Sequence, residues 1–285
     1  MTPESTSPGP TNPEPAVTLS GAQLSRGGRT LWSGLDLAVR PGEFVAVLGP
    51  NGSGKTSLLN VLLGRVPLDA GSATITGAPV RVGNPRIGYI PQQQPVDPGV
   101  PLRGVDLVGL GVDGHRWGVG LRHRSRRDAR IAAAIAQVGA ERFASTRLGS
   151  LSGGEQQRLR VAQALAGDPA LLLCDEPLLS LDLANQQLVA NLIERRRREH
   201  DTAVLFVTHE INPILPLVDR VLYLVDGRFR IGPPEQVMTS TVLSELYHTD
   251  VDVLRVRGRL IVVGTGDAVD ALGSVGGHHP GPEQR

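Results

Sequence analysis

The chain has 285 residues, 40% of them hydrophobic and 20% charged, with a mean hydropathy of -0.06; it can bury a sizeable core, which excludes collagen-like and wholly disordered classes. Its 29 basic and 28 acidic residues leave a formal net charge of +1, so no global field recruits nucleic acid or anionic lipid. A single cysteine, Cys174, excludes an internal disulfide framework and fits a reducing compartment, the cytosol by default, and no apolar run approaches the roughly 18 residues of a membrane span.

Residues 1–15 hold five prolines among Thr, Ser, Asn and Glu. They cannot bury enough apolar surface to offset ordering, so a disordered tail is expected; they also lack the basic and apolar regions of a signal peptide. A chain of this kind that works at a membrane needs a partner to supply the spans. Three continuous apolar runs follow, Phe44 to Leu48, Leu171 to Cys174 and Ala203 to Val207, and they suit strands of a parallel sheet buried on both faces. They end at Gly49, at Asp175-Glu176 and at Thr208-His209-Glu210. Ligands of open α/β sheets bind beyond the carboxyl ends of the strands, so the three endings point to one site. Helices are expected over Lys55 to Leu63 and around Gln186 to Arg197, the alternation of an α/β domain. Val221 to Val225, the turn Asp226-Gly227 and Phe229 to Ile231 read as a hairpin. Gly and Pro dominate again in 267–285, a second flexible tail, which leaves 16–266 as the folded part, without internal repeats.

Gly49-Pro50-Asn51-Gly52-Ser53-Gly54-Lys55-Thr56 satisfies the phosphate-loop pattern, after a strand and before a helix as its mechanism requires. Its glycines let backbone N–H groups curl around phosphates, the helix adds its positive end, Lys55 neutralises phosphate oxygens and the Thr56 hydroxyl ligates Mg²⁺. Lys55 is the one lysine among the 29 basic residues; the bland alternative is a glycine-rich turn without a ligand. Leu171 to Glu176 is a buried strand delivering two acids, Asp175 to hold Mg²⁺ and Glu176 to orient or deprotonate an attacking water, against the alternative of two solvated carboxylates. Cys174 before them reads as a small apolar residue. In Leu151-Ser152-Gly153-Gly154-Glu155-Gln156-Gln157-Arg158, Ser152 and Glu155 form a capping box. Leu159, Val161, Ala162, Leu165 and Ala166 continue an apolar face. Such a tip binds anions, or is simply a capped helix.

With these residues in place, roughly residues 18–260 closely resemble the ATP-binding subunit of an ABC transporter. Gly49 to Thr56 looks like Walker A, Gln92 in Gly88-Tyr89-Ile90-Pro91-Gln92 like the Q-loop, and Leu151 to Gln156 like the signature. Asp175-Glu176 looks like Walker B with its glutamate, Ser180-Leu181-Asp182 like the D-loop and His209 like the switch histidine. The resemblance implies an α/β P-loop NTPase core of RecA-like type, with a helical subdomain inserted at about 93–162 and a small antiparallel β subdomain. It implies ATP held by Gly49 to Thr56 with Ser57, Mg²⁺ at Thr56, Gln92 and Asp175, and catalysis by Glu176, His209 and Gln92. Two subunits pair head to tail in this family, so Ser152, Gly153 and Gly154 would contact the γ-phosphate held by the other subunit, Glu155 would belong to the same signature, and Asp182 would cross the same interface.

The implied partners are a transmembrane permease, a second ATP-binding subunit expected to be a copy of this chain, and indirectly an extracytoplasmic substrate-binding protein, with no nucleic acid. The implied location is cytoplasmic, peripheral on the inner face of the plasma membrane. Ile87 to Gln92 through Val96 to Leu102, Leu243 to His248 and a strand-like Leu254 to Val263 resemble the subclass serving zinc or manganese importers; subunits of ferric-siderophore, haem and cobalamin importers are very similar. Non-transport ABC ATPases of the DNA-repair type insert a long coiled coil, for which the interval between Lys55 and Ser152 is too short, and translation-type members carry two cassettes.

Two departures stand out. Arg26-Gly27-Gly28-Arg29 occupies the place of the family's adenine-stacking aromatic; Arg26 could stack its guanidinium plane on the base, with Trp32 or no stacking as alternatives. Pro177-Leu178-Leu179-Ser180 lacks the small polar residue that often follows the proline. The basic cluster Arg122, Arg124, Arg126, Arg127 and Arg130 reads as a solvated helix surface, with a nucleic-acid or lipid contact as the alternative. Arg195 to Arg198 suit the negative end of a helix. His278-His279, on a tail, is a poor selective metal site.

Overall fold

The computed structural model describes residues 13–92, 97, 100–114 and 124–264. The first twelve residues and 267–285, with Arg122 and His278-His279, lie outside them. Strands β1 (Val17–Arg26) and β2 (Arg29–Val39) pair antiparallel, with Val17, Leu19, Ala22 and Leu24 inward, the alternation of a sheet wet on one face. Next come β3 (Phe44–Leu48), buried at each residue, helix α1 (Lys55–Leu62), and strands β4 (Ala70–Ile75) and β5 (Ala78–Pro79). The last two return to β1 and complete a four-stranded antiparallel sheet, β2-β1-β4-β5.

Strand β6 (Ile87–Ile90) leads into a helical segment of α2 (Gly104–Asp113), α3 (Arg124–Gln137), a 3-10 turn at Leu148–Ser150 and α4 (Gly153–Ala166). Then follow β7 (Leu171–Asp175), α5 (Leu183–His200), β8 (Ala203–Val207), β9 (Arg220–Val225) and β10 (Arg228–Gly232). The chain ends in α6 (Pro234–Val237), α7 (Ser240–Tyr247) and the pair β11 (Val251–Val256) and β12 (Arg259–Gly264). The central sheet has six strands in the order β10-β9-β3-β8-β7-β6. All its neighbours pair parallel except β10, which returns antiparallel through Asp226 and Gly227, both at positive φ, the backbone of a two-residue hairpin turn.

The continuous apolar runs have two faces to fill. Phe44, Ala46 and Leu48 of β3, with Leu172, Cys174, Val204 and Phe206, face a core shared with α4 and α5. Val45, Val47, Leu171, Leu173, Leu205 and Val207 face a core shared with α1 and the antiparallel sheet. Burial of both faces is why no alternation marks these strands; Phe44 and Phe206 stack across neighbouring strands with ring centroids 5.5 Å apart.

Two elements differ from expectation. Leu254 to Val263 is not one strand but a hairpin that turns at Arg257 and Gly258, both at positive φ. Helix α5 starts before Gln186 and ends after Arg197, because the Asp182 carboxylate accepts from the Asn185 backbone N–H at one end and Asp201 turns left-handed at the other.

Candidate active site

The phosphate loop connects β3 to α1, and two of its glycines are dictated by close backbone approach. Gly49 has φ 141°, and a Cβ there would lie 2.1 Å from the Leu224 carbonyl oxygen on β9. Gly54 has φ 97°, and a Cβ would lie 2.9 Å from Trp32 Nε1. Gly54 is also the N-cap of α1 and supplies no side-chain cap, so the leading N–H groups of the helix stay available to an anion. Lys55 Nζ donates to the carbonyls of Gly49 and Pro50 at 2.7 and 2.9 Å; its own loop holds the ammonium over the cradle. Burial holds the Lys55 pKa below its ordinary value, with the Glu176 and Asp175 carboxylates opposing.

Asp175 ends β7 and Thr56 opens α1, and the Thr56 hydroxyl donates to Asp175 Oδ1 at 3.2 Å. Burial pushes the Asp175 carboxyl above its usual range, against the hydrogen bond from Thr56. A hydroxyl and a buried carboxylate side by side are hard oxygen donors, so this pair fits Mg²⁺. Glu176 follows at φ 47°, its N–H donating to the Val207 carbonyl at 3.0 Å, so the end of β8 aims the carboxylate. Gln92 Nε2 donates to Glu176 Oε2 at 3.3 Å, and His209 Nε2 pairs with Oε1. The ends of β6, β7 and β8 thus bring Gln92, Glu176 and His209 together on one carboxylate.

Ser152 caps α4: its hydroxyl accepts from the Glu155 N–H at 3.3 Å, while Glu155 Oε2 accepts from the Ser152 N–H at 2.9 Å and its hydroxyl at 2.8 Å. The Ser152 donors, the backbone N–H foremost, hold the Glu155 carboxyl below its usual range. Ser152 and Gly153 are exposed, whereas Gly154 is buried beside Asn185. Asp182 caps α5 in turn, accepting from Asn185 N at 2.8 Å and Asn185 Nδ2 at 2.9 Å.

Residues 32–179 match the ABC transporter family. The chain belongs to that family. It is 34% identical to the zinc import ATP-binding protein ZnuC of Pseudomonas fluorescens over 233 residues, 81% of this chain and 82% of the relative. It is 36% identical to the hemin import ATP-binding protein HmuV of Streptomyces coelicolor over 256 residues, 86% and 89% of the two chains. Identity to the aliphatic sulfonates import ATP-binding protein SsuB 1 of Nocardia farcinica is 39% over 220 residues, 76% and 80% of the two. Among solved structures, a dimeric ATP-binding cassette in a post-hydrolysis state with ADP and Pi superposes with a TM-score of 0.65 at 27% identity, over 76% of this chain and 98% of that one. The chain is an ABC ATPase domain that binds and hydrolyses ATP.

Within this ABC domain, sequence reasoning passed over Tyr89 and Asn185. Tyr89 pairs with Leu173 across β6 and β7, which puts its phenol beside Asp175, to which it is hydrogen-bonded, with the Arg65 guanidinium 5.2 Å from its ring centroid. Burial and the Asp175 charge push the Tyr89 phenol up. Only the strand register reveals this contact, and no motif encodes it.

Trp32, the alternative to Arg26 as an adenine platform, is fully buried against Gly54 and exposes no ring face. Arg26 is exposed at the end of the β1–β2 hairpin, whose turn is tied to the β9–β10 turn by an Arg29–Asp226 ion pair. Cys174 is buried, which pushes its thiol up and leaves no reactive thiolate. On α3, Arg124, Arg126 and Arg130 are exposed and Arg127 pairs with Asp113 at 2.5 Å. Arg196 and Arg197 do more than face a helix dipole: Arg196 is buried, and Arg197 bonds Glu194, Asp219 and the Gly42 carbonyl. Among the described residues no helix is long and apolar enough to cross a membrane.

Proposed function

We propose that this ABC ATPase pairs head to tail with a second copy and drives a permease that imports a divalent metal, zinc or manganese. The observation that carries the pairing is that one chain exposes two helix N-termini, the uncapped start of α1 behind the phosphate loop and the tip of α4 at Ser152, whose donors the Glu155 carboxylate already holds. One γ-phosphate needs both, and the dimeric cassette with ADP and Pi supports their union between subunits.

Each residue then has a defined task. Gly49 to Ser57 and Lys55 hold the phosphates, and Arg26 offers its guanidinium plane to the adenine. Thr56 and Asp175, with Gln92 from the Q-loop, would hold Mg²⁺. The bound ion would neutralise charge on the β- and γ-phosphate oxygens. Glu176 accepts the proton of the attacking water once His209 turns from it toward the γ-phosphate. Ser152, Gly153 and Gly154 meet the γ-phosphate from across the interface, with Glu155 holding the Ser152 cap and Asp182 alongside. Domain limits of 16–266, with the helical subdomain at about 93–162, and a position on the inner face of the plasma membrane belong to the same reading.

The ZnuC relative supports the metal cargo. The HmuV relative, at 36% identity, favours a second reading, an importer of ferric siderophore, haem or cobalamin. In source cells carrying Glu176→Gln at normal expression, turnover is lost and uptake of zinc or manganese falls while ferric-siderophore uptake stays. The reverse pattern moves the cargo to the second reading, and normal ATP turnover by this variant overturns the role of Glu176.

A further inference from the structure

Asn185 belongs to no recognised motif, yet it touches both elements that the head-to-tail reading sends across the interface. Its backbone and side-chain amides each occupy one oxygen of the Asp182 carboxylate, at 2.8 and 2.9 Å. An N-cap needs only the first of these bonds; the second removes the remaining freedom of the Asp182 side chain. On its other side Asn185 meets Gly154. A Cβ placed on Gly154 would lie 2.5 Å from Asn185 Oδ1, 2.6 Å from Cγ and 2.8 Å from Nδ2. Three nearly equal distances mean that the amide group lies flat against the glycine. Gln186 Nε2, next in the helix, reaches the Leu181 carbonyl at 3.2 Å and the Leu178 carbonyl at 3.4 Å, so the loop before Asp182 is fastened to the same turn of α5.

We infer that Asn185 fastens the D-loop to the signature tip, so that Asp182 and Ser152 to Gly154 reach the opposite subunit as one rigid unit. Asn185 is a positioning residue, since it acts through Asp182 and Gly154. The same contact gives a methyl at position 154 a consequence separate from phosphate binding: it has to push the Asn185 amide aside, and the bond to Asp182 goes with it. The inference rests on the head-to-tail pairing proposed above.

The test uses the full chain with Glu176→Gln, followed by sedimentation with and without MgATP, and by binding of a fluorescent ATP analogue to the dilute monomer. Asn185→Ala weakens ATP-driven pairing by about tenfold or more, because each of the two loosened Asp182 side chains must then be ordered as the dimer forms, and leaves nucleotide binding by the monomer unchanged. Gly154→Ala alone also weakens pairing, but added to Asn185→Ala it costs less, because the amide it would displace is gone and only its effect at the γ-phosphate remains. Pairing by Asn185→Ala as tight as in the parent overturns the inference, as do a parallel loss of monomer binding and a Gly154→Ala penalty that is the same in both backgrounds. If the Glu176→Gln parent itself fails to pair with ATP, the head-to-tail reading falls first and this inference with it.

Discussion

Gly49 and Gly52 show how differently two glycines of one loop are constrained. Both have positive φ, but a Cβ on Gly49 meets the Leu224 carbonyl at 2.1 Å and one on Gly52 meets nothing within 4 Å. Leu224 sits on β9, which is hydrogen-bonded to β3 beside the loop, so the oxygen cannot retreat without parting two central strands. Gly52→Ala therefore costs only its backbone strain, about 1 kcal/mol, whereas Gly49→Ala costs several times that and abolishes ATP binding. Thermal melts and fluorescent-nucleotide titration check this, and equal effects of the two substitutions would refute the steric account. The phosphate loop was legible because its signal lies within eight consecutive residues and needs only a strand before it and a helix after. The reason for Gly54 was not, since Trp32 approaches it from another sheet. Tyr89 beside Asp175 and Asn185 against Gly154 were equally hidden, because such contacts depend on strand register and helix packing, which leave no periodic mark.

At the scale of elements, the end of α5 binds the start of β7 through one buried cation. Arg196, 6% exposed, donates to Thr202 Oγ1 at 2.9 Å, to Asp168 Oδ1 at 2.6 Å and to the Pro169 carbonyl at 3.1 Å. Arg196→Met keeps the stem but strips these acceptors of their donor, and is expected to cost about 3 kcal/mol. The hydrogen bond from Arg196 holds the Asp168 carboxyl below its ordinary range. A carboxyl depressed in the folded state adds stability above its unfolded pKa and loses it as pH falls through the folded pKa. Asp168→Asn, which tolerates the positive φ at this position, therefore lowers the melting temperature at pH 7, and the gap to the parent closes below about pH 4. A gap that persists in acid would assign the effect to something other than this ion pair. The apolar runs of β3, β7 and β8 were readable because burial on both faces demands continuity. A run of arginines is compatible both with a dipole and with a buried anchor, and composition cannot separate the two.

For the whole molecule, the decisive question is whether the α4 tip completes a site on its own chain or on another. A composite site makes two inactive variants complementary. Lys55→Ala destroys the phosphate loop and keeps an intact signature; Ser152→Arg destroys the signature and keeps an intact phosphate loop. Random mixing puts half the chains' pairings into mixed dimers, and each mixed dimer holds one intact site out of two, so the mixture recovers up to about a quarter of the parental ATPase rate. Specific activity of the parent also falls on dilution, since the monomer lacks half of each site. If the tip served its own chain, both variants would stay inactive in the mixture and the parental rate per chain would not depend on concentration. The two results together decide the matter, because a folding defect in either variant could silence the mixture but could not make the parent insensitive to dilution.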